Sequence, residues 1–241
     1  MQAAVSRPHE TTQNKARTAK IITVFNEKGG AGKTTTSCQL AGTLGRMGYQ
    51  VLVADLDPQQ TAAEWMAAAG GANFQATLWS GYRYGASVTS EIQKLIDKFD
   101  VIVADCAPSV LQPTTSAMLV VSDLVLIPTL LSPPDLTALQ SAKRLFHKVV
   151  EQIGRVVPVR VIPNRVRANV SDTKEALEYL RSDPDFPVTK VVLGDRIAYG
   201  RSMTAGATVH DLRGGEEAGK EVDALAAEVI RLCGLPKIHV K

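Results

Sequence analysis

The chain has 241 residues, 45% hydrophobic and 21% charged, a balance that excludes a disordered chain, a collagen-like repeat and a disulfide mini-protein. Aromatic residues are only 5%, so Ala, Val, Leu and Ile must fill the core, and the length suits one large α/β domain. The net charge of +3 permits nucleic-acid contact without demanding it. Cys38, Cys106 and Cys233 are far apart and show no CxxC spacing, and the four histidines are scattered. This excludes a disulfide framework and a Cys/His metal site, and fits reduced thiols in a cytoplasmic protein.

Residues 1–19 are polar, with Arg7, Lys15 and Arg17 and no apolar periodicity. They read as a flexible tail, either an incidental extension or a basic arm for nucleic acid. No signal peptide opens the chain. Ile21-Ile22-Thr23-Val24-Phe25 is a β-branched run and so a buried strand. Glycines follow, then a helix from Lys33 to about Met47, closed by Gly48. Val51 to Ala54 is a strand ending at Asp55, and Pro58 opens a helix through about Ala68. Next come a strand at 76–79, a helix at 88–98, a strand at 101–104 ending at Asp105, a helix at 113–121 and a strand at 124–127. Ser132 serves as an N-cap with Pro133 at the first helical position, and that helix runs to about Ile153. A strand at 157–162, a helix at 171–181, a strand at 188–193 and a helix at 216–232 complete the chain. The most apolar stretch, 117–131, is broken by Ser122, Asp123 and Pro128, and is too interrupted to span a membrane.

Strands and helices alternate, and the strands are continuous apolar runs. That pattern specifies a mostly parallel sheet covered by helices on both faces, in one domain over 20–241. Ligands of such sheets bind beyond the carboxyl ends of the strands. Three strand ends here carry chemistry. Lys28-Gly29-Gly30-Ala31-Gly32-Lys33-Thr34-Thr35 lies between a strand and a helix. Its glycines let backbone N–H groups face a phosphate, and the helix adds its positive end. Lys33 can reach the β- and γ-phosphates, and the Thr34 hydroxyl can bind Mg²⁺. The usual P-loop places a glycine where Glu27 stands, so this is a variant with an extra lysine, Lys28, inside the loop. Asp55-Leu56-Asp57-Pro58-Gln59 brings two carboxylates to the second strand end. Alone, Asp57 reads as the cap of the following helix; beside a phosphate loop, one carboxylate can orient an attacking water. Asp105 ends the third apolar strand, as the carboxylate that holds Mg²⁺ does in the Walker B pattern.

These residues, in this order, resemble the ParA/MinD family of deviant Walker ATPases, a P-loop NTPase fold, over nearly all of the chain after the tail. The runs Ser122 to Pro128, Ser132 to Asp135 and Asp195 to Ser202 look closer still to small, ParF-like plasmid partition ATPases. The resemblance implies that Gly29, Gly30, Ala31, Gly32 and Lys33 bind phosphate, Thr34 and Asp105 bind Mg²⁺, and Thr35 binds the α-phosphate. It implies that Lys28 is the lysine that reaches the nucleotide of a partner subunit, and that Asp57 positions the attacking water. Pro163, Asn164 and Arg165 match the segment that reads adenine. Opposed nucleotides concentrate negative charge at a shared interface, and a Lys28 from each side offsets it only when the dimer closes.

The family reading further implies an ATP- and Mg²⁺-dependent partition ATPase, cytoplasmic and nucleoid-associated. It would form a homodimer on ATP, bind DNA without sequence preference and hydrolyse ATP slowly. A centromere-binding adaptor of the ParB/ParG type would stimulate the hydrolysis. Lys190, Arg196, Arg201 and Arg213 are the candidate DNA contacts, each otherwise an ordinary solvated charge. The end of the chain from Gly234 is broken by Pro236 and lacks Phe and Trp, so membrane docking of the MinD kind is not expected. The alternatives are a family ATPase that positions a protein cargo or assists conjugation, and, further off, a metabolic P-loop enzyme.

Overall fold

The β-branched run at the start becomes strand β1 (Lys20–Val24), with Ile22 and Val24 fully buried. The computed structural model describes residues 19–69, 74–109, 112–167 and 171–238, so the tail reading for 1–18 lies outside the described residues. Ala19 belongs to the domain: it is buried, and its N–H donates to the Ile96 carbonyl at 2.9 Å.

The other strands are β2 (Val51–Leu56), β3 (Thr77–Ser80), β4 (Val101–Cys106), β5 (Leu124–Thr129) and β6 (Val159–Pro163). They form one parallel sheet in the order β3-β2-β4-β1-β5-β6. The helices are α1 (Lys33–Arg46), α2 (Thr61–Ala67), α3 (Val88–Gln93), α4 (Pro113–Val121), α5 (Pro133–Ile153), α6 (Ser171–Arg181), α7 (Ile197–Thr204) and α8 (Glu216–Cys233). Alternate strand residues feed two cores. Ile21, Leu52, Ile102 and Val125 pack with Met118 of α4 and Leu139 and Phe146 of α5. Ile22, Val53, Val103 and Leu126 pack with Leu40 and Leu44 of α1 and Leu225 and Val229 of α8. This two-sided burial is why the strands carry no polar alternation. The single-domain P-loop architecture expected from the sequence is the one observed. Cys38, Cys106 and Cys233 are free and buried within it.

Three elements differ from expectation. The helix placed from Pro58 begins at Thr61, because the Gln60 N–H donates to the Asp57 carbonyl at 2.9 Å and Gln60 takes a left-handed backbone (φ 53°). The helix placed at 88–98 ends at Gln93 and tightens into turns closed by Leu95 N–H to Ile92 O and Lys98 N–H to Leu95 O. The strand placed at 188–193 is absent; only isolated bridges pair Val188 with Val161 and Gly194 with Val166. The segment still runs along β6, with Thr189 N–H on the Val161 carbonyl and Leu193 N–H on the Pro163 carbonyl, both at 2.9 Å, and between them the Thr189 hydroxyl donates to the Val191 carbonyl at 2.6 Å. Helix α7 and the 3-10 turns Tyr82–Ser87 and Val209–Asp211 complete the described chain.

Candidate nucleotide-binding site

Parallel strands bring all their carboxyl ends to one edge, and the register places Asp55 of β2 beside Asp105 of β4, with Val24 of β1 on its other side. The glycine loop therefore folds over Asp105. Gly30 and Gly32 take φ of 76° and 97°, which a side chain rarely adopts, and turn the chain into α1. At Gly32 the freedom is doubly needed, since an added Cβ would lie 1.9 Å from Asn164 Nδ2. Asn164 is buried and pins the loop: its Nδ2 donates to the Ala31 carbonyl at 2.8 Å. Its Oδ1 accepts the Arg165 N–H at 2.9 Å, closing a turn that leaves Arg165 left-handed (φ 51°).

Under the loop, Thr34 Oγ1 donates to Asp105 Oδ2 at 2.7 Å and Ser37 Oγ donates to Oδ1 at 3.0 Å. Burial nevertheless pushes the Asp105 carboxyl up to about 7, because the two hydroxyls and the Lys33 charge only partly offset desolvation. Lys33 is buried, and burial holds its ammonium below the usual lysine range despite the pull of Asp105 and Asp57. Its Nζ donates to the Lys28 carbonyl at 3.1 Å. A buried carboxylate and a buried ammonium short of strong partners suit a ligand that brings negative charge and a divalent cation. Thr34, Ser37 and Asp105 offer the oxygens a hard cation takes. Among the described residues no group of three His, Cys, Asp or Glu side chains could hold a metal unaided. A cation would therefore arrive with phosphate oxygens.

The two carboxylates of the second strand end divide their work. Asp55 is fully buried; its Oδ2 accepts the Ala63 N–H at 2.9 Å at the start of α2, and its Oδ1 accepts the Asp57 N–H at 3.1 Å. Asp55, not Asp57, satisfies the helix terminus, which corrects the capping alternative. The Asp57 carboxylate accepts the Gln59 N–H at 3.0 Å and faces the cleft.

That cleft has a volume of about 1030 Å³ and is lined by Gly29, Gly30, Gly32, Lys33, Thr34, Thr35, Asp57, Asn164 and Arg165 among others. Three of the residues expected at the nucleotide lie outside this lining. Pro163 ends β6, and its carbonyl accepts the Leu193 N–H behind the cleft wall. Ala31 is buried beneath the loop and meets Asn164 instead of the cleft. Lys28 stands outside the cleft lining, with its Nζ 2.8 Å from Asp135 Oδ1. The far wall is α7, which the sequence reading missed: Ile197, Gly200, Arg201 and Thr204 line it at helical spacing. Ser202 faces the other way, and Tyr199 borders the cleft while its hydroxyl turns to α8. Ser202 Oγ accepts from buried Gln39 of α1 at 2.7 Å, and Tyr199 OH donates to Glu221 at 2.8 Å.

Arg196 and Arg201 line the same cleft as the phosphate loop, and Lys190 does not. Arg196 is held by Glu221, at 2.8 Å from Nε and 2.7 Å from Nη2. Arg201, Lys190 and Arg213 are exposed and make no ion pair among the described residues. No helix among them is long and apolar enough to cross a membrane.

Known proteins share this fold. The chain is 28% identical over 228 residues to maintenance of carboxysome distribution protein A of Halothiobacillus neapolitanus, covering 90% of this chain and 98% of that protein. An ATP complex of McdA from Cyanothece superposes with a TM-score of 0.77 at 18% identity, over 93% of this chain and all of that one. Cobyrinic acid a,c-diamide synthase from Mycobacterium smegmatis, with bound ADP and magnesium, superposes at 0.69 and 18% identity, over 92% and 99% of the two chains. At such identities the two structural likenesses concern the fold. The family model of the CobQ/CobB/MinD/ParA nucleotide binding domain matches residues 22–209, the stretch that holds the glycine loop, both carboxylate strand ends and α7, and the chain belongs to that family.

Proposed function

We propose that this protein is an ATP-hydrolysing switch that distributes a cargo over DNA, closing as a dimer on ATP and opening after hydrolysis. The observation that carries the reading is Asp105, buried with Thr34 and Ser37 on its oxygens directly beneath a loop that presents Lys33. In this reading the N–H groups of 29–33 cradle the phosphates, Lys33 leaves the Lys28 carbonyl for the β- and γ-phosphates, and Thr35 meets the α-phosphate. Thr34 and Asp105 hold Mg²⁺, which supplies charge neutralisation on the phosphates. Asn164 and Arg165 stand at the base end. Asp57 orients a water for attack on the γ-phosphorus, giving ADP and phosphate. Lys28 of each copy offsets charge on the other's nucleotide, so loss of the γ-phosphate loosens the pair.

The ATP-bound dimer binds duplex DNA through phosphates, without sequence preference, with Lys190 and Arg201 as contacts; Arg196 contributes less because Glu221 holds it. The cargo is a DNA replicon carrying a centromere-binding adaptor that stimulates hydrolysis. A second reading, a protein assembly as cargo, is favoured by the likeness along almost the whole chain to a carboxysome distribution protein. Both place the protein on the nucleoid in the cytoplasm. Sedimentation with ATP, with ADP and without nucleotide tests the switch: the Asp57→Ala variant should remain dimeric with ATP and turn over little, and a monomer in all three conditions would end the reading.

A further inference from the structure

The segment from Asp57 to Gln60 makes one turn, closed by the Gln60 N–H on the Asp57 carbonyl at 2.9 Å, and Gln60 holds a left-handed backbone that a side chain disfavours. Helix α2 follows at once, and its seven residues are too few to hold a helix by themselves. Its first turn is tied to the sheet by the Ala63 N–H on Asp55 Oδ2. Its body and far end are tied to the loop after α7. Trp65 is 1% exposed, and its Nε1 donates to the Ala207 carbonyl at 3.0 Å. Beside that bond the two main chains meet: a Cβ added at Gly206 would lie 1.9 Å from the Ala69 nitrogen and 2.3 Å from the Ala68 carbonyl carbon. The loop is in turn fixed to α1, because Gln39 accepts the Val209 N–H at 2.9 Å and donates to Ser202 Oγ at 2.7 Å. Thr61 at the start of α2 and Met203, Thr204 and Ala205 at the end of α7 line the same cleft as Asp57.

We propose that Trp65 is a positioning residue for ATP hydrolysis: through the Ala207 carbonyl it ties α2 to the frame of α1 and α7, and so fixes the chain from which Asp57 meets the attacking water. The inference rests on the reading of Asp57 as the group that orients that water. Such orientation is sensitive to small shifts of the carboxylate, a misplacement of about 1 Å costing up to about 10²-fold in rate. Phosphate binding depends instead on the glycine loop and the start of α1, which keep their own ties to Asn164 and Asp105. Loss of the Trp65 donor therefore frees α2 at one of its anchors and lowers turnover without loosening the nucleotide. Phenylalanine keeps an aromatic ring in the core and cannot donate, so Trp65→Phe removes the bond with the least change in packing.

The test is steady-state ATP hydrolysis, with equilibrium binding of a non-hydrolysable ATP analogue, for wild type, Trp65→Phe, Asp57→Ala and the double variant. Trp65→Phe should lower kcat about tenfold, with affinity for the analogue within about twofold of wild type. The loss should vanish in the Asp57→Ala background, where no carboxylate is left to place; a merely structural effect would lower the residual turnover there by the same factor. If Trp65→Phe leaves kcat unchanged, or lowers affinity as far as turnover, while Asp57→Ala loses turnover, the Asp57 reading stands and the Trp65 inference falls. If Asp57→Ala turns over as wild type does, both fall. Should Trp65→Phe fail to fold, the chain's two tryptophans, Trp65 and Trp79, allow a gentler change. Trp79→Phe protein made with a tryptophan analogue that carries sulfur in place of the ring N–H loses the same donor and keeps the ring. Its kcat should fall about tenfold against Trp79→Phe protein made with ordinary tryptophan. Equal kcat for the two would overturn the positioning role.

Discussion

Replacing Gly32 with alanine strikes the phosphate loop at its tightest point. The backbone there has φ 97°, and the new Cβ would stand 1.9 Å from Asn164 Nδ2 and 3.1 Å from its Cγ. An L-residue in a left-handed conformation costs about 1–2 kcal/mol. Asn164 must also withdraw, which breaks its 2.8 Å bond to the Ala31 carbonyl and leaves a buried acceptor unmet, at about 1–3 kcal/mol. The sum is a loss of about 2–5 kcal/mol, a large share of the roughly 5–15 kcal/mol that holds a typical domain folded. Gly29→Ala is the matched control: its backbone is not left-handed, and a Cβ there meets nothing within 4 Å. It should leave stability within about 0.5 kcal/mol of wild type yet weaken nucleotide binding, since the methyl enters the cleft that Gly29 lines. Urea unfolding without nucleotide and titration with a fluorescent nucleotide separate the two effects. In the double variant Gly32→Ala/Asn164→Ala the clash is gone, so at least about 1 kcal/mol of coupling should appear. A loss below about 1 kcal/mol for Gly32→Ala, or additive behaviour in the double variant, would refute the steric argument.

Asp57→Ala should lower ATP turnover by about 10²–10⁴-fold, with nucleotide affinity changed far less, as judged by steady-state hydrolysis and equilibrium binding. Asp55→Ala should instead destabilise the fold by about 2–4 kcal/mol in urea unfolding, because the Asp57 and Ala63 N–H groups lose a buried acceptor. For Asp105 the folded pKa lies above the unfolded one, so between about pH 4 and 7 the folded chain retains a proton that the unfolded chain has released. Its contribution to stability therefore falls as pH rises through that window, by about 4 kcal/mol for a shift of some three pH units. Nucleotide-free wild type should lose stability relative to Asp105→Asn between pH 5 and 8 in urea titrations. Parallel curves for the two proteins would contradict the assignment.

The strands and the phosphate loop were legible because their signals are local. A β-branched run buried on both faces can only be a central strand, and glycines between such a strand and a helix can only serve a tight turn. Features made by distant residues were not legible. Helix α7 contains Gly200 and ends on Thr204, a poor helix by propensity, and it is secured by Gln39 and Glu221, far away in sequence. Asp55 and Asp57 look alike in sequence; only the start of α2 at Thr61 decides which of them meets the helix terminus. Arg196 looked like a free cation until Glu221 of α8 was placed beside it. The pattern at 188–193 has the composition of a strand, but it bonds β6 at separate points, through Thr189 and Leu193, while the Thr189 hydroxyl takes the Val191 carbonyl that a ladder would use.

The central claim is that nucleotide state controls attachment to DNA, and binding to random-sequence duplex DNA with ATP, with ADP and with neither, across a salt series, tests it most directly. The account predicts binding with ATP alone, weakening steeply as salt rises because the contacts are to phosphates. Normal ATP binding with no affinity for DNA in any nucleotide state would contradict it.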